Sequence, residues 1–139
     1  MRLLAIAILG LVVISVAACR GSIDERANAQ LTITNAGTGE FIGNGDNWQT
    51  ISLAPGETVQ LKVERRVDHA NGDVEITDVT NQVSFDVKTA GVATISPTGL
   101  ITANSPGHSE VQVEFNDNDT DTTDNDVARF FIDVAAPAI

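Results

Sequence analysis

From Gln30 onward, apolar residues fall at every second position in short runs, and each run stops at Gly, Pro, Asn or Asp. A strand turns successive side chains to opposite faces, so this alternation describes half-buried strands; a helix would need apolar residues three and four apart. No window beyond residue 20 sustains that helical spacing. "LTIT" (31–34) leads into a polar, glycine-rich stretch ending at Asp46-Asn47. Ile51 and Leu53 follow, then Val59, Leu61 and Val63, with Gln60, Lys62 and Glu64 on the opposite face. Val83, Phe85 and Val87 form a further inward set; Ala93 and Ile95, the run Leu100 to Ala103, then Val111, Val113 and Phe115, and finally Phe130, Ile132 and Val134 follow. Between them lie Pro55-Gly56, suited to the centre of a type II turn, and Asn71-Gly72, a hairpin signal. Pro97-Thr98-Gly99 and Pro106-Gly107 punctuate the second half, and Pro137 ends the last strand. Seven to nine short strands at regular spacing predict an all-β domain over residues 30–136, an antiparallel β-sandwich. No period of 20–50 residues repeats, so one module is expected.

The chain begins differently. Met1-Arg2 carries one positive charge, and residues 3–18 are almost wholly apolar, interrupted by Gly10 and Ser15. Spanning a bilayer takes about 20 apolar helical residues, so this run is short for a transmembrane helix. A charged start, a short apolar run and small residues at its end describe a secretory signal peptide, assigned to residues 1–18. The run closes on Val16-Ala17-Ala18-Cys19, which holds the only cysteine of the chain. These four residues resemble the bacterial lipobox. The resemblance implies a diacylglyceryl thioether on Cys19, cleavage before it, and acylation of the freed amine by a palmitate-type chain. Burial of acyl chains contributes about 0.8 kcal/mol per methylene, and two or more chains anchor stably where one does not. Arg20 follows the cysteine, where an aspartate would signal inner-membrane retention in this family, so the resemblance favours the outer membrane. Residues 19–29 then read as the lipidated cysteine and a tether, because "RGSIDERANA" has no apolar period. The expected location is the bacterial cell envelope.

Charge excludes some partners. Without residues 1–18 the chain keeps 7 of its 8 basic residues and all 19 acidic ones. A phosphate-binding surface needs clustered Lys and Arg, and only Arg65-Arg66 are adjacent. Nucleic acid is therefore not an expected partner, and the membrane is expected to hold the protein through acyl chains, not through its surface charge. With Cys19 acylated no internal disulfide can form, so the fold must rest on packing.

Several segments in order resemble the bacterial immunoglobulin-like domain, group 2. They are Pro55-Gly56-Glu57-Thr58-Val59-Gln60-Leu61, "DVT" (78–80), a strand with a central aromatic, "VATI" (92–95), a glycine turn, and "LITA" (100–103). The resemblance covers roughly residues 28–135 and implies an immunoglobulin-like sandwich. The central aromatic is Phe85 where the family usually carries tryptophan, and it is expected in the core; Phe85→Ala should cost about 3–5 kcal/mol. Such domains commonly recur in long surface proteins and adhesins, whereas here one domain follows the lipidation motif.

No catalytic constellation is legible. The two histidines are His69, in a polar loop, and His108, beside Ser109, whose side chain a strand would turn to the opposite face. No HExxH, CxxC, phosphate-loop or GxSxG motif occurs, so no enzyme is expected. Trp48, the only tryptophan, is expected to pack across the sandwich edge. Phe131 lies between inward Phe130 and Ile132, so it should face outward as a binding contact for a protein or polysaccharide ligand. The acidic run 116–126 places Asp117, Asp119, Asp121, Asp124 and Asp126 within ten residues. The i, i+2, i+4 spacing is that of oxygen ligands in calcium loops, but Thr122 and Ala128 stand where an EF-hand needs Gly and Glu. Weak calcium is the one cofactor this run suggests, against the alternative of a solvated hairpin loop. The whole reads as an envelope-anchored lipoprotein displaying one immunoglobulin-like binding or structural module, or else as an accessory subunit of a larger envelope complex.

Overall fold

The computed structural model describes residues 26–116 and 126–138. Among them lie ten strands and no helix: β1 (Arg26–Asn35), β2 (Phe41–Asn44), β3 (Thr50–Leu53), β4 (Thr58–His69), β5 (Val74–Asp78), β6 (Val83–Val87), β7 (Ala93–Ile95), β8 (Leu100–Ala103), β9 (Gly107–Phe115) and β10 (Asp126–Val134). They form two sheets. The first runs β2-β1-β4-β8-β7, with β5 also on β4, and the second runs β3-β10-β9-β6.

The alternation sets the inner faces. Leu31 and Ile33 on β1, Leu61 and Val63 on β4, and Ile101 and Ala103 on β8 are buried from one sheet. Val83, Val111, Val113, Ala128, Phe130, Ile132 and Val134 are buried from the other, all in one cluster. Phe130 is the largest side chain that is fully enclosed. Phe85 points inward, paired with Val113, but stays half-buried against the cluster. The central aromatic of the sandwich is therefore Phe130 on a middle strand, while Phe85 on edge strand β6 has a neighbouring strand on one side only.

Three features depart from the sequence reading. The strand count is ten, because β2 lies in the polar stretch before Trp48 and β5 follows Asn71-Gly72 without a buried face. One pairing is parallel, β3 against β10, with Phe131 opposite Thr50 and Val134 opposite Leu53. Alternation is the same in parallel and antiparallel strands, so the pattern could not reveal it. Finally, β1 starts at Arg26, so residues 26–29, read as tether, pair with Val67–His69. Those pairings are made by backbone, which needs no apolar period.

The turns hold where they were read. Gly56 has φ 86°, the left-handed value that a type II turn requires after Pro55, and Glu57 N–H donates to Ala54 C=O. His69 N–H donates to Asp73 C=O across Asn71-Gly72. Gly43 on β2 serves a different purpose. A Cβ there would lie 2.1 Å from the Arg129 carbonyl oxygen, so only glycine lets β2 cross β10 on its way from one sheet to the other.

β4 changes partner midway, from β5 (Glu64–Asp68) to β8 (Thr58–Gln60). In the gap, "DVT" supplies a side-chain rung. The Val63 N–H donates to Thr80 Oγ1 at 2.9 Å, and Val79 N–H donates to Val63 C=O. Thr80 in turn donates its hydroxyl (2.6 Å) and its N–H (3.0 Å) to Asp78 Oδ1. These bonds, the hydroxyl's first, hold the Asp78 carboxyl below its ordinary pKa. Thr80→Val keeps the shape and leaves a buried N–H unpaired, which should cost about 1–3 kcal/mol in a urea melt. A depressed folded-state pKa adds stability that is present above the unfolded carboxyl value and is lost as pH falls through the folded one. The variant should therefore show a shallower fall in stability on the acid side. An unchanged acid limb would break the link between Thr80 and Asp78.

Candidate functional site on the outer face of the second sheet

Because Phe130, Ile132 and Val134 are buried, Arg129, Phe131 and Asp133 project from the outer face of β10. On β9, Ser109, Val111 and Val113 are buried, which turns His108, Glu110, Gln112 and Glu114 outward. Register places Phe131 opposite Glu110 on one side and Thr50 on the other. His108 thus stands diagonally across from Phe131, within reach of an aromatic ring.

Trp48 joins them from the turn between β2 and β3. Asn44 Oδ1 accepts the N–H groups of Asp46 (2.9 Å) and Asn47 (2.7 Å), Asn44 N–H donates to Asn47 C=O, and Gly43 bridges to Trp48. The indole Nε1–H donates to Gly45 C=O at 3.2 Å, which fixes the ring. Trp48 meets Phe131 edge-on, with centroids 6.1 Å apart and planes at 63°. His108 stacks on Phe131 at 5.3 Å and 19°. The Arg129 guanidinium lies 5.4 Å from the Trp48 centroid, and its Nε is 3.7 Å from Glu110 Oε1.

Three rings, one each from the β2–β3 turn, β10 and β9, form a cross-strand ladder beside an arginine. Phe131 in the middle is half-buried by its neighbours, while Trp48 remains 43% exposed. Their mutual packing directs the rings against one another, and Arg129 occupies space over the indole. Such a surface offers a part-exposed indole packed against other rings, with a charged flank. Trp and Arg are the residue types that carry most energy at protein contacts, and they do so when a partner covers them. Stacking a sugar would instead need an open ring face.

Phe131 is thus where the sequence reading put it. The reading missed its company: Trp48 lies on this outer face and does not plug the sandwich edge, and His108 and Arg129 complete the ladder. The parity of His108 was legible from Val111 and Val113. That β9 and the β2–β3 turn flank β10 was not.

The other singled-out residues lie apart. Ser109 is buried, with its hydroxyl accepting Thr89 N–H and donating to Glu110 C=O, so it faces away from His108. His69 ends β4 with Nε2 3.6 Å from Glu75. Of the acidic run, Asp126 is described, and Asp117, Asp119, Asp121 and Asp124 lie outside the described residues, as do Cys19 and the stretch 1–18. Asp126 is buried and its Oδ2 is 2.5 Å from Arg65 Nε. Arg65 occupies an inward position between Val63 and Val67, and its guanidinium also lies 4.8 Å from the Phe115 ring centroid. Asp126 thus takes part in an inter-sheet ion pair. Among the described residues, no three His, Cys, Asp or Glu side chains gather as a metal site. No protein-family model matches the chain, and no curated protein matches it.

Proposed function

We propose that this chain is an envelope-anchored bacterial lipoprotein that displays one immunoglobulin-like module with a binding or structural role and no catalysis. The observation that carries the anchoring is Val16-Ala17-Ala18-Cys19 at the end of a short apolar run behind Arg2. The immunoglobulin-like type rests on the ordered segments from Pro55 to Ala103, and the two-sheet, all-β architecture agrees with it. Anchoring by Cys19 places the module at the membrane through its acyl chains, with the outer membrane favoured by Arg20. Cys19→Ser should abolish incorporation of labelled fatty acid into the protein. Label retained by that variant would remove the basis for the lipoprotein reading.

A second reading, an accessory subunit of a larger envelope complex, is favoured by the Trp48–Phe131–His108 ladder, whose packed rings suit a protein partner better than a glycan. Capture from detergent-solubilised envelopes separates the two. Stoichiometric recovery of one protein, lost in Phe131→Ala, supports the subunit; recovery of polysaccharide supports the binding module.

Calcium is proposed only as a weak ligand of the acidic run, with Asp117, Asp119, Asp121, Asp124 and Asp126 as candidate carboxylate donors. Binding in the range of about 10⁻⁴–10⁻³ M, as in extracellular modules, should raise the melting temperature at saturating calcium. The measurement is thermal unfolding at constant ionic strength with magnesium as control. Equal shifts from both ions would mean charge screening and no site.

A further inference from the structure

β5 is the most open strand of the domain. All five of its residues are exposed, and Val74 (49%) and Ile76 (59%) are two of the five exposed large hydrophobic side chains among the described residues. Among those residues it pairs with β4 alone. Its register sets Ile76 opposite Arg66 and Val74 opposite Asp68, so both apolar side chains lie on the outer face of the first sheet.

The ladder also fixes which backbone groups are free. His69 N–H donates to Asp73 C=O, and hydrogen-bonded pairs alternate along an antiparallel ladder. Glu75 and Thr77 therefore direct their N–H and C=O toward β4. Val74, Ile76 and Asp78 direct theirs away from it, to the open edge. Exposed apolar edge strands are templates for pairing with another strand, and proteins commonly block them with Pro, Lys or a bulge. β5 has none of these.

We infer that β5 pairs with β5 of a second copy of this chain, antiparallel and centred on Ile76. The choice of occupant rests on register and charge. A two-fold axis at Ile76 is the one arrangement that pairs all five residues of the strand with one another. It sets Ile76 against Ile76, Val74 against Asp78, and Glu75 against Thr77, with no like charges directly opposite. Centring on Glu75 would oppose two carboxylates, and centring on Val74 would set Glu75 against Asp73. In the Ile76 register the outward N–H and C=O groups of Val74, Ile76 and Asp78 all meet partners, and the two first sheets become continuous. Isologous pairing of this kind closes at two copies, because each chain spends its β5 edge in the contact.

The full chain, purified in detergent, tests this with three variants. In Ile76→Cys the two new thiols oppose each other at the axis, about 5.5 Å apart between Cα atoms, a separation a disulfide bridges. In Glu75→Cys the two thiols are diagonal, at about 7–8 Å, beyond easy bridging. Mild oxidation should give a covalent dimer from Ile76→Cys several-fold in excess of that from Glu75→Cys or from the parent, whose own cysteine is Cys19. Ile76→Pro removes an N–H that faces the open edge, so it spares the β4–β5 ladder while blocking self-pairing. Its sedimentation should be that of a monomer, with an unchanged melting transition at high dilution, where the parent is monomeric too. Equal cross-linking at positions 75 and 76, a monomeric parent at all concentrations, or cross-linking of Ile76→Cys to a different protein would each overturn the proposal.

Discussion

Truncating Phe130 to alanine should lower the unfolding free energy by about 3–5 kcal/mol, more than any other aromatic truncation in this domain. Phe130 sits at the centre of β10 with no exposed surface, between the two sheets, and no other fully buried side chain is larger. Removing the ring leaves a cavity within the buried side-chain cluster, on a strand tied on both sides, to β3 and to β9, so the site closes in only partly. The loss then includes the cavity as well as the transfer of the ring. Domains of this size have only about 5–15 kcal/mol in total, so a large unfolded fraction is expected at physiological temperature. Phe85→Ala should cost less, because edge strand β6 leaves its ring half-buried, and Phe131→Ala less again. Guanidinium melts of the three variants check the order. A Phe85 variant weaker than the Phe130 variant would place the centre of the core on β6.

The second large effect is expected at Asp126. Asp126→Ala leaves Arg65 at an inward position, with a side chain 15% exposed and no carboxylate at its Nε. Breaking one partner of a buried pair typically costs about 3–5 kcal/mol. The pair itself is worth much less, since desolvating both ions offsets most of their attraction. The double variant Arg65→Met/Asp126→Leu should therefore recover most of the stability lost by the single one, with the methionine keeping contact with the Phe115 ring. Urea melts of the single and double variants measure this directly. A double variant as weak as Asp126→Ala would show that Arg65 contributes through bonds other than this pair.

Arg65 also illustrates how far sequence patterns reach. "RR" at 65–66 is one of the few basic features of the chain, and from sequence the two arginines are alike. In the fold, Arg66 is exposed and pairs with Asp68 two residues on, while Arg65 crosses to the other sheet. Parity alone would have set Arg65 inward, after Leu61 and Val63. Its partner, 61 residues away, could not be read, because a carboxylate in an acidic run carries no mark of which cation it will meet.

Strand identity and facing were set locally. The inward sets from Leu31 to Val134 are buried or half-buried as the alternation requires, since each depends only on the two-residue period of one strand and on water's exclusion from one face. Pro55-Gly56 and Asn71-Gly72 turn the chain for reasons contained in a few residues. The lipobox-like ending at Cys19 is likewise a linear signal. Strand order, the parallel β3–β10 pair, the crossing of β2 over β10 at Gly43 and the Thr80 rung were decided only when distant strands met. Hydrogen-bonded ladders are chemically uniform along the backbone, so sequence specifies that a strand will pair far more sharply than with which neighbour. The Trp48–Phe131–His108 ladder shows the consequence: three residues, each individually unremarkable in the chain, become one surface because β9, β10 and the β2–β3 turn lie side by side.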